Sequence, residues 1–400
     1  MTTKFIPYGR QWIDREEIRA VTAVLKSDFL TQGPCNKTFE EMFAAKVGAK
    51  YAVSTSNGTA ALHLAALVLN LQPGDEVLTS PISFLATSNA ILYAGARPVF
   101  VDIDPKTQCI DSNAIEEKIT SKTKAIFFTD FAGYPADIKK INSIAKKYHL
   151  AVVEDAAHAL GSTYQGTKIG SCRLVDMTIF SFHPVKHITT GEGGMITTNH
   201  SKYYEQLSEL RTHGVTRDPK KLHEKNSGAW YYEMQQLGFN YRMTDLQAAL
   251  GIEQLKKLDR FVSRRRKIAE KYREAFQDIS EIIFPEEQSG CMHVYHLFVI
   301  RLQKSLIKMR KKIFEEFRKR GLGVQVHYIP IPSQPYYRKL GYRAEDYPVA
   351  QSYYDSAISL PIFPKMTNDD IDFVIKTVRN VFRLYSKDRT RRVHETVQIS

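Results

Sequence analysis

The stretch VVEDAAHALGSTYQGTKIGSCRLVDMTIFSFHPVKHITTGEGGMITTN, residues 152–199, decides the architecture. Around it, LAVVED (150–155) and DMTIFSF (176–182) are near-continuous apolar runs, the pattern of strands covered on both faces. Similar runs lie on either side: YAVST (51–55), EVLTS (76–80), RPVFVDI (97–103), KAIFFT (124–129) and GMITT (194–198). Turn chemistry separates them, with Pro73-Gly74-Asp75 before one and Ala94-Gly95 before another. Helical patterns at 59–70, 85–94, 112–119 and 136–148 fill the gaps, so the reading is an α/β fold with a mostly parallel sheet between helices. Beyond about residue 244 the texture changes to long helices rich in Lys, Arg and Glu (244–278, 304–320), punctuated by HVYHLFVIRL (293–302) and VQVHYIPI (324–331). The expected division is a large domain over 1–250 and a smaller α+β domain over 251–400.

Ligands of such sheets collect at the carboxyl ends of the strands. Asp155 closes one strand, and Lys186 follows another, flanked by Ser181, His183 and the turn Gly191-Glu192-Gly193-Gly194. A surface lysine needs no such frame of small residues, whereas a partly buried one loses pKa and becomes a usable amine nucleophile. Carbonyl chemistry on pyridoxal phosphate needs this pair: a lysine to hold the aldehyde as a Schiff base, and an acid to keep the pyridine nitrogen protonated. The third requirement is a phosphate cup. STSNGTAAL (54–62) offers one, running from strand through Ser56, Gly58 and Thr59 into a helix whose free N–H groups favour a dianion. Plainer readings stand beside these. Asp155 could cap a helix, Lys186 could be a loop lysine, and the glycines could form a hairpin turn. A cofactor-free lysine aldolase would explain Lys186 but leave the cup and Asp155 idle. Neither a G-x-G-x-x-G after the early strands nor a P-loop is present.

Composition narrows the class. The 400 residues are 43% hydrophobic, enough for a large core, which excludes a disordered or collagen-like chain. No apolar run approaches the roughly 18 residues of a membrane helix, and MTTKFIPYGRQW at the start has no apolar signal-peptide core. Cysteines at 35, 109, 172 and 291 follow neither a disulfide framework nor a zinc spacing, so no metal site and a reducing cytoplasm are expected. The net charge of +13 admits a nucleic-acid partner. Its largest cluster, nine Lys/Arg in 301–320, alternates with Leu306, Met309, Ile313, Phe314 and Phe317 at helical spacing. That is the wet face of an amphipathic helix, and no nucleic-acid-binding motif accompanies it. The tail 381–400 adds +3.

The chain resembles the DegT/DnrJ/EryC1/StrS group of pyridoxal-phosphate-dependent sugar aminotransferases, of fold type I. The matching motifs span nearly its whole length: LTQGP (30–34), SNGTAAL (56–62), PISFLAT (81–87), EDAAHALGSTYQG (154–166), FSFHPVKHITTGEGG (180–194), RTHG (211–214) and GFNYRMTDLQAALGIEQL (238–255). The resemblance implies that Lys186 is the Schiff-base lysine and proton carrier, and that Asp155 pairs with the pyridinium nitrogen. It places Phe84 on the cofactor ring, His158 near the ring and its 3′-oxygen, and Gly58, Thr59 and Ser181 on the phosphate. Asn240 would reach the phosphate of a partner subunit, which implies a homodimer with shared sites. Substrate contacts would come from Tyr8, from Asp28, Phe29, Leu30 and Thr31, from Tyr241, and from His327 with Tyr328. The chain departs from many relatives at His158, where they carry glutamine, and at Ile82-Ser83, where they carry Val-Thr. Some members replace the lysine by histidine and act as dehydratases; Lys186 is intact.

PISFLATSN (81–89) and VQVHYIPIPSQPYY (324–337) resemble the branch that serves pseudaminic acid biosynthesis. The implied reaction takes an amino group from L-glutamate, through pyridoxamine phosphate, to C4 of a UDP-linked 4-keto-6-deoxy-N-acetylhexosamine. A dTDP- or GDP-linked keto-sugar, a 3-keto position and a non-catalytic regulator on the same fold are the alternatives. Neither nucleic acid nor membrane is an expected partner.

Overall fold

The computed structural model describes residues 4–224 and 228–397, with side chains described through residue 385. The charge assigned to the tail falls largely on residues 386–400, whose side chains lie outside the described residues.

Seven strands form the central sheet, in the spatial order 51–55, 194–198, 177–181, 151–155, 123–129, 76–79, 97–100. All pair in parallel except Gly194–Thr198, which runs antiparallel to both neighbours. Consecutive side chains of a strand point to opposite faces, and here both faces are covered. Ile126 and Phe128 join one apolar cluster while Phe127 between them joins another, and Val152 and Val153 divide the same way. That two-sided burial explains the continuous apolar runs.

Register brings the chemistry-bearing ends together. Asp155 pairs with Thr129 on one side and Ile179 on the other, two residues before Ser181. The helix Gly58–Val68 starts at the end of strand Tyr51–Thr55, with the Asn57 side chain accepting the Ala60 N–H at 2.8 Å. Helix Asp245–Lys256 is capped reciprocally by Thr244 and Gln247, and it packs against helix Pro34–Val47. Gly251 permits that approach: a Cβ there would lie 2.7 Å from the Phe39 ring.

A second apolar cluster gathers Ile268, Tyr272, Ile300, Phe317, Ile358 and Val378 around the antiparallel strands Ile282–Ile283, Phe298–Leu302 and Ala357–Leu360. Helix Leu258–Phe276 serves both cores, giving Leu258, Phe261 and Val262 to the first and Ile268, Ala269, Tyr272 and Phe276 to the second. Helix Arg310–Lys319 buries Ile313 and Phe317 and exposes Lys311, Lys312, Arg318 and Lys319, the amphipathic arrangement its spacing indicates.

Local structure differs from the sequence expectation in five places, the first being that strand-like VQVHYIPI (324–331) makes only an isolated bridge, Gln325 to Ser359. The pattern at 244–278 is two helices meeting at Lys257. Residues 304–320 begin as a 3₁₀ turn, Lys304–Met309, before the α-helix. Only Glu116–Lys118 is helical within 112–119, because Asp111 Oδ1 accepts from both the N–H and the side-chain amide of Asn113 and holds a local turn instead. In HVYHLFVIRL the strand starts only at Phe298, since the carbonyls of His293, Tyr295 and His296 accept from Arg266 and Arg265 rather than from a neighbouring strand. Among the described residues no helix is long and apolar enough to cross a membrane.

Candidate active site

The strand ends open onto a cavity of about 740 Å³. Lys186 lies five residues past strand Met177–Ser181, in a turn where its N–H donates to the His183 carbonyl at 2.9 Å. Burial lowers its pKa to about 8, while the Asp155 carboxylate opposes that fall. An amine so placed keeps a minor but usable neutral fraction near neutral pH, roughly a tenth, and the neutral amine is the form that attacks a carbonyl.

Asp155 is 4% exposed. Its Oδ2 accepts from Thr87 Oγ1 at 2.5 Å and its Oδ1 from the Ala157 N–H at 3.1 Å. Behind Thr87 stands a chain of hydroxyls: Thr129 donates to Ser83 at 3.0 Å, and Ser83 lies 2.9 Å from Thr87. Because Thr129 supplies a proton to Ser83 and Thr87 gives its own to Asp155, every hydroxyl of the chain points toward the carboxylate. Burial still pushes the Asp155 pKa up, offset by Thr87, the Ala157 N–H and Lys186. The carboxylate thus retains acceptor capacity that a cationic N–H from the cavity would satisfy.

His158 is buried, and its Nδ1 accepts the Ala132 N–H at 3.3 Å. Desolvation, aided by the charge of Lys186, holds its pKa far below the ordinary value. The ring is therefore neutral with its proton on Nε2, which lies 3.3 Å from the Tyr328 hydroxyl. His296 lies beside it with ring centroids 4.3 Å apart and the planes tilted by 31°.

Gly58 and Thr59 line the cavity at the start of helix Gly58–Val68, facing Ser181. A Cβ on Gly58 would come within 3.0 Å of Ser181 Cβ, so a side chain there would fill the cup. Phe84 is 56% exposed although apolar, and its ring lies 6.1 Å from that of Tyr328 across the cavity wall. This excludes the plain core-aromatic reading. A phosphate cup at a helix N-terminus, an exposed aromatic face, a buried carboxylate with spare acceptor capacity and an amine of lowered pKa together fit pyridoxal phosphate.

Eleven residues singled out in the sequence line this one cavity: Tyr8, Gly58, Thr59, Phe84, Asp155, His158, Ser181, Lys186, Tyr241, His327 and Tyr328. His327 Nδ1 lies 2.8 Å from Ser359 Oγ, and Tyr241 is held through its hydroxyl by His63 Nδ1 at 3.1 Å. Five others lie elsewhere. Asp28, Phe29 and Leu30 are exposed, Thr31 bridges to Thr244, and exposed Asn240 bridges to Thr212. Sequence reasoning missed Ser83, Thr87 and Thr129. Ser83 and Thr87 are four apart at the start of helix Leu85–Tyr93, and that spacing was a usable signal; Thr129, at the end of an adjacent strand, carried none.

The DegT/DnrJ/EryC1/StrS aminotransferase family model matches residues 11–379. The chain belongs to this family. It is a transaminase, and its cofactor is pyridoxal 5′-phosphate. The spore coat polysaccharide biosynthesis protein SpsC of Bacillus subtilis is 42% identical over 382 residues, covering 95% of this chain and 97% of that protein. Among solved structures, Helicobacter pylori PseC, an aminotransferase involved in the biosynthesis of pseudaminic acid, superposes with a TM-score of 0.88 at 32% identity, covering 95% of this chain and 100% of the other. The pyridoxal-phosphate form of the putative sugar aminotransferase Spr1654 from Streptococcus pneumoniae matches with a TM-score of 0.88 at 31% identity, over 95% and 99% of the two chains.

Proposed function

We propose that this transaminase moves the amino group of L-glutamate to C4 of a UDP-linked 4-keto-6-deoxy-N-acetylhexosamine, as the pseudaminic acid branch of the family does. The observation that carries the reaction class is the convergence of Lys186, Asp155 and the Gly58–Thr59 cup on one cavity. The sugar assignment rests on PISFLATSN and VQVHYIPIPSQPYY, whose Phe84, His327 and Tyr328 line that cavity, and on the likeness to PseC.

When bound, pyridoxal phosphate supplies an electron sink for the bonds broken at the substrate carbon. The N–H groups of Gly58 and Thr59, with the Ser181 hydroxyl, hold its phosphate. Asp155 keeps the ring nitrogen protonated, and the hydroxyl chain ending at Thr87 keeps Asp155 ionised and aimed. Phe84 covers one ring face. His158, locked as the Nε2–H tautomer, donates to Tyr328 and leaves that phenol's own proton free for the cavity. Lys186 Nζ would tether the cofactor and, once released, would carry a proton between C4′ of the cofactor and the substrate carbon. A pKa near 8 suits both directions of that transfer.

The residues that do not face the cavity of their own chain belong to the other half of a homodimer in this reading. Asn240 and the segment 28–31 are exposed, as are the apolar Trp230, Tyr232, Met234 and Leu237, which are 54–79% exposed. We place the enzyme in the cytoplasm, consistent with four free cysteines. The deciding experiment offers UDP-, dTDP- and GDP-linked 4-keto-6-deoxy sugars with glutamate and reads the products by mass and by the position of the new amine. The expected product is the UDP-linked 4-amino-N-acetylhexosamine. Exclusive turnover of a dTDP or GDP sugar, or a 3-amino product, would overturn the sugar assignment. No turnover of any sugar by cofactor-loaded protein would mark a regulator.

A further inference from the structure

Arg265, on helix Leu258–Phe276, is wholly buried at 0% exposure and has no carboxylate among its recorded partners. Its Nε is unpartnered, and burial lowers its pKa to about 9, which leaves it charged at neutral pH. A desolvated cation without an acid is costly to a fold, and a well-packed apolar side chain in its place often stabilises. Its partners are backbone carbonyls: Nη1 donates to Tyr295 at 3.2 Å, His296 at 3.2 Å and Ile362 at 2.9 Å, and Nη2 to Val185 at 3.4 Å.

Three of these carbonyls lead to different parts of the cavity. Val185 immediately precedes Lys186. The His296 ring packs against that of His158. The N–H of Ile362 donates to the Tyr8 carbonyl at 3.0 Å, and Tyr8 lines the cavity. The helix carrying Arg265 packs into both apolar cores, so one guanidinium joins the lysine turn to segments of the second core.

We propose that Arg265 is a positioning residue that clamps the Lys186 turn, the His296–His158 ring pair and the Tyr8 segment to one another through its planar fork. The inference rests on the reading of Lys186 as the reactive amine. The fork is essential: its two terminal nitrogens, fixed in one plane, reach four carbonyls on three segments, which a single ammonium cannot do. Arg265 touches neither substrate nor cofactor, and its effect on rate passes entirely through geometry. A displacement of the amine by about an ångström suffices for a loss on the order of a hundredfold.

The test uses the full-length, cofactor-loaded protein with Arg265→Met, close in length but neutral, and Arg265→Lys, which keeps the charge without the fork. Two readouts are compared with wild type: amide hydrogen exchange along the chain, and kcat against KM for both substrates. In both variants exchange is expected to accelerate at 183–188, 293–297 and 8–9 while strand 123–129 stays protected. The kcat should fall by about a hundredfold in Arg265→Met, with KM changed by less than about threefold. Wild-type exchange at those three segments in a folded variant overturns the proposal. So does a uniform rise in exchange with kcat retained, the signature of lost stability alone, or full restoration by Arg265→Lys. If Arg265→Met does not fold, Arg265→Lys decides by the same readouts. Exchange tests the clamp without reference to chemistry, whereas turnover of Lys186→Ala tests the reading beneath it, so the two fail separately.

Discussion

The floor of the cavity and its rim are built differently. At the floor, Asp155 is buried, its oxygens are held by Thr87 and the Ala157 N–H, and a run of hydroxyls backs the first of these. Every partner comes from the same chain, and the elements that carry them lie in one sheet or start at its edge. In the proposed dimer the rim would be completed by Asn240 and residues 28–30 of a second copy, which are exposed and do not line the cavity of their own chain. The contrast shows where the work of folding ends. Both-face burial of the strands fixes their ends, and with them the places of the acid, the amine and the helix N-terminus. In that proposal the rim residues act only once a second copy is present.

The largest blow to the floor is Lys186→Ala. Removing the nucleophile should lower turnover by at least about 10³-fold, and borohydride reduction of the loaded protein, which leaves the cofactor's mass on the Lys186 peptide of wild type, should then label none. Turnover at wild-type rate would move the chemistry elsewhere. The rim is probed by mixing subunits. Lys186→Ala and Asn240→Asp proteins, each inactive alone, should recover about a quarter of wild-type activity after random reassociation, since half the dimers then hold one intact site. No recovery would break the division between floor and rim.

A smaller effect is expected one step behind the acid. Thr87→Val keeps shape but removes the hydroxyl on Asp155, a hydrogen bond to a charged group worth about 1.5–3 kcal/mol, or roughly ten- to a hundredfold in kcat. A loss confined to KM would show that the hydroxyl chain does not act through Asp155. The gentlest measurement follows the floor without mutation. Amine-directed labelling of Lys186 in cofactor-free protein should rise with pH around a midpoint of about 8, because burial favours the neutral form, whereas exposed lysines label only above their ordinary range. A midpoint in that ordinary range would mean that the amine is solvated.

Much of the floor was legible in the sequence. Lys186 and Asp155 were found because a lysine and an acid after apolar strands are hard to explain by packing, and because strand ends gather ligands. Phe84 was ambiguous until its exposure was known. What escaped was set by distant partners. Thr87 and Thr129 are unremarkable residues made important by sheet register. The tautomer of His158 depends on a backbone N–H twenty-six residues away. Arg265 reads as one more cation on a basic amphipathic helix, yet it is fully buried among carbonyls.

The amino-acid sequence by itself determined the α/β architecture, the residue types of the chemistry and their places at strand ends. It could do so because apolar periodicity, turn residues and side-chain reactivity are local properties. Tertiary structure alone decided which acid faces which amine, which hydroxyls hold the acid, and which cation lies inside the core. Those depend on register and on contacts between segments tens to hundreds of residues apart, where burial shifts a pKa or leaves a carbonyl needing a donor.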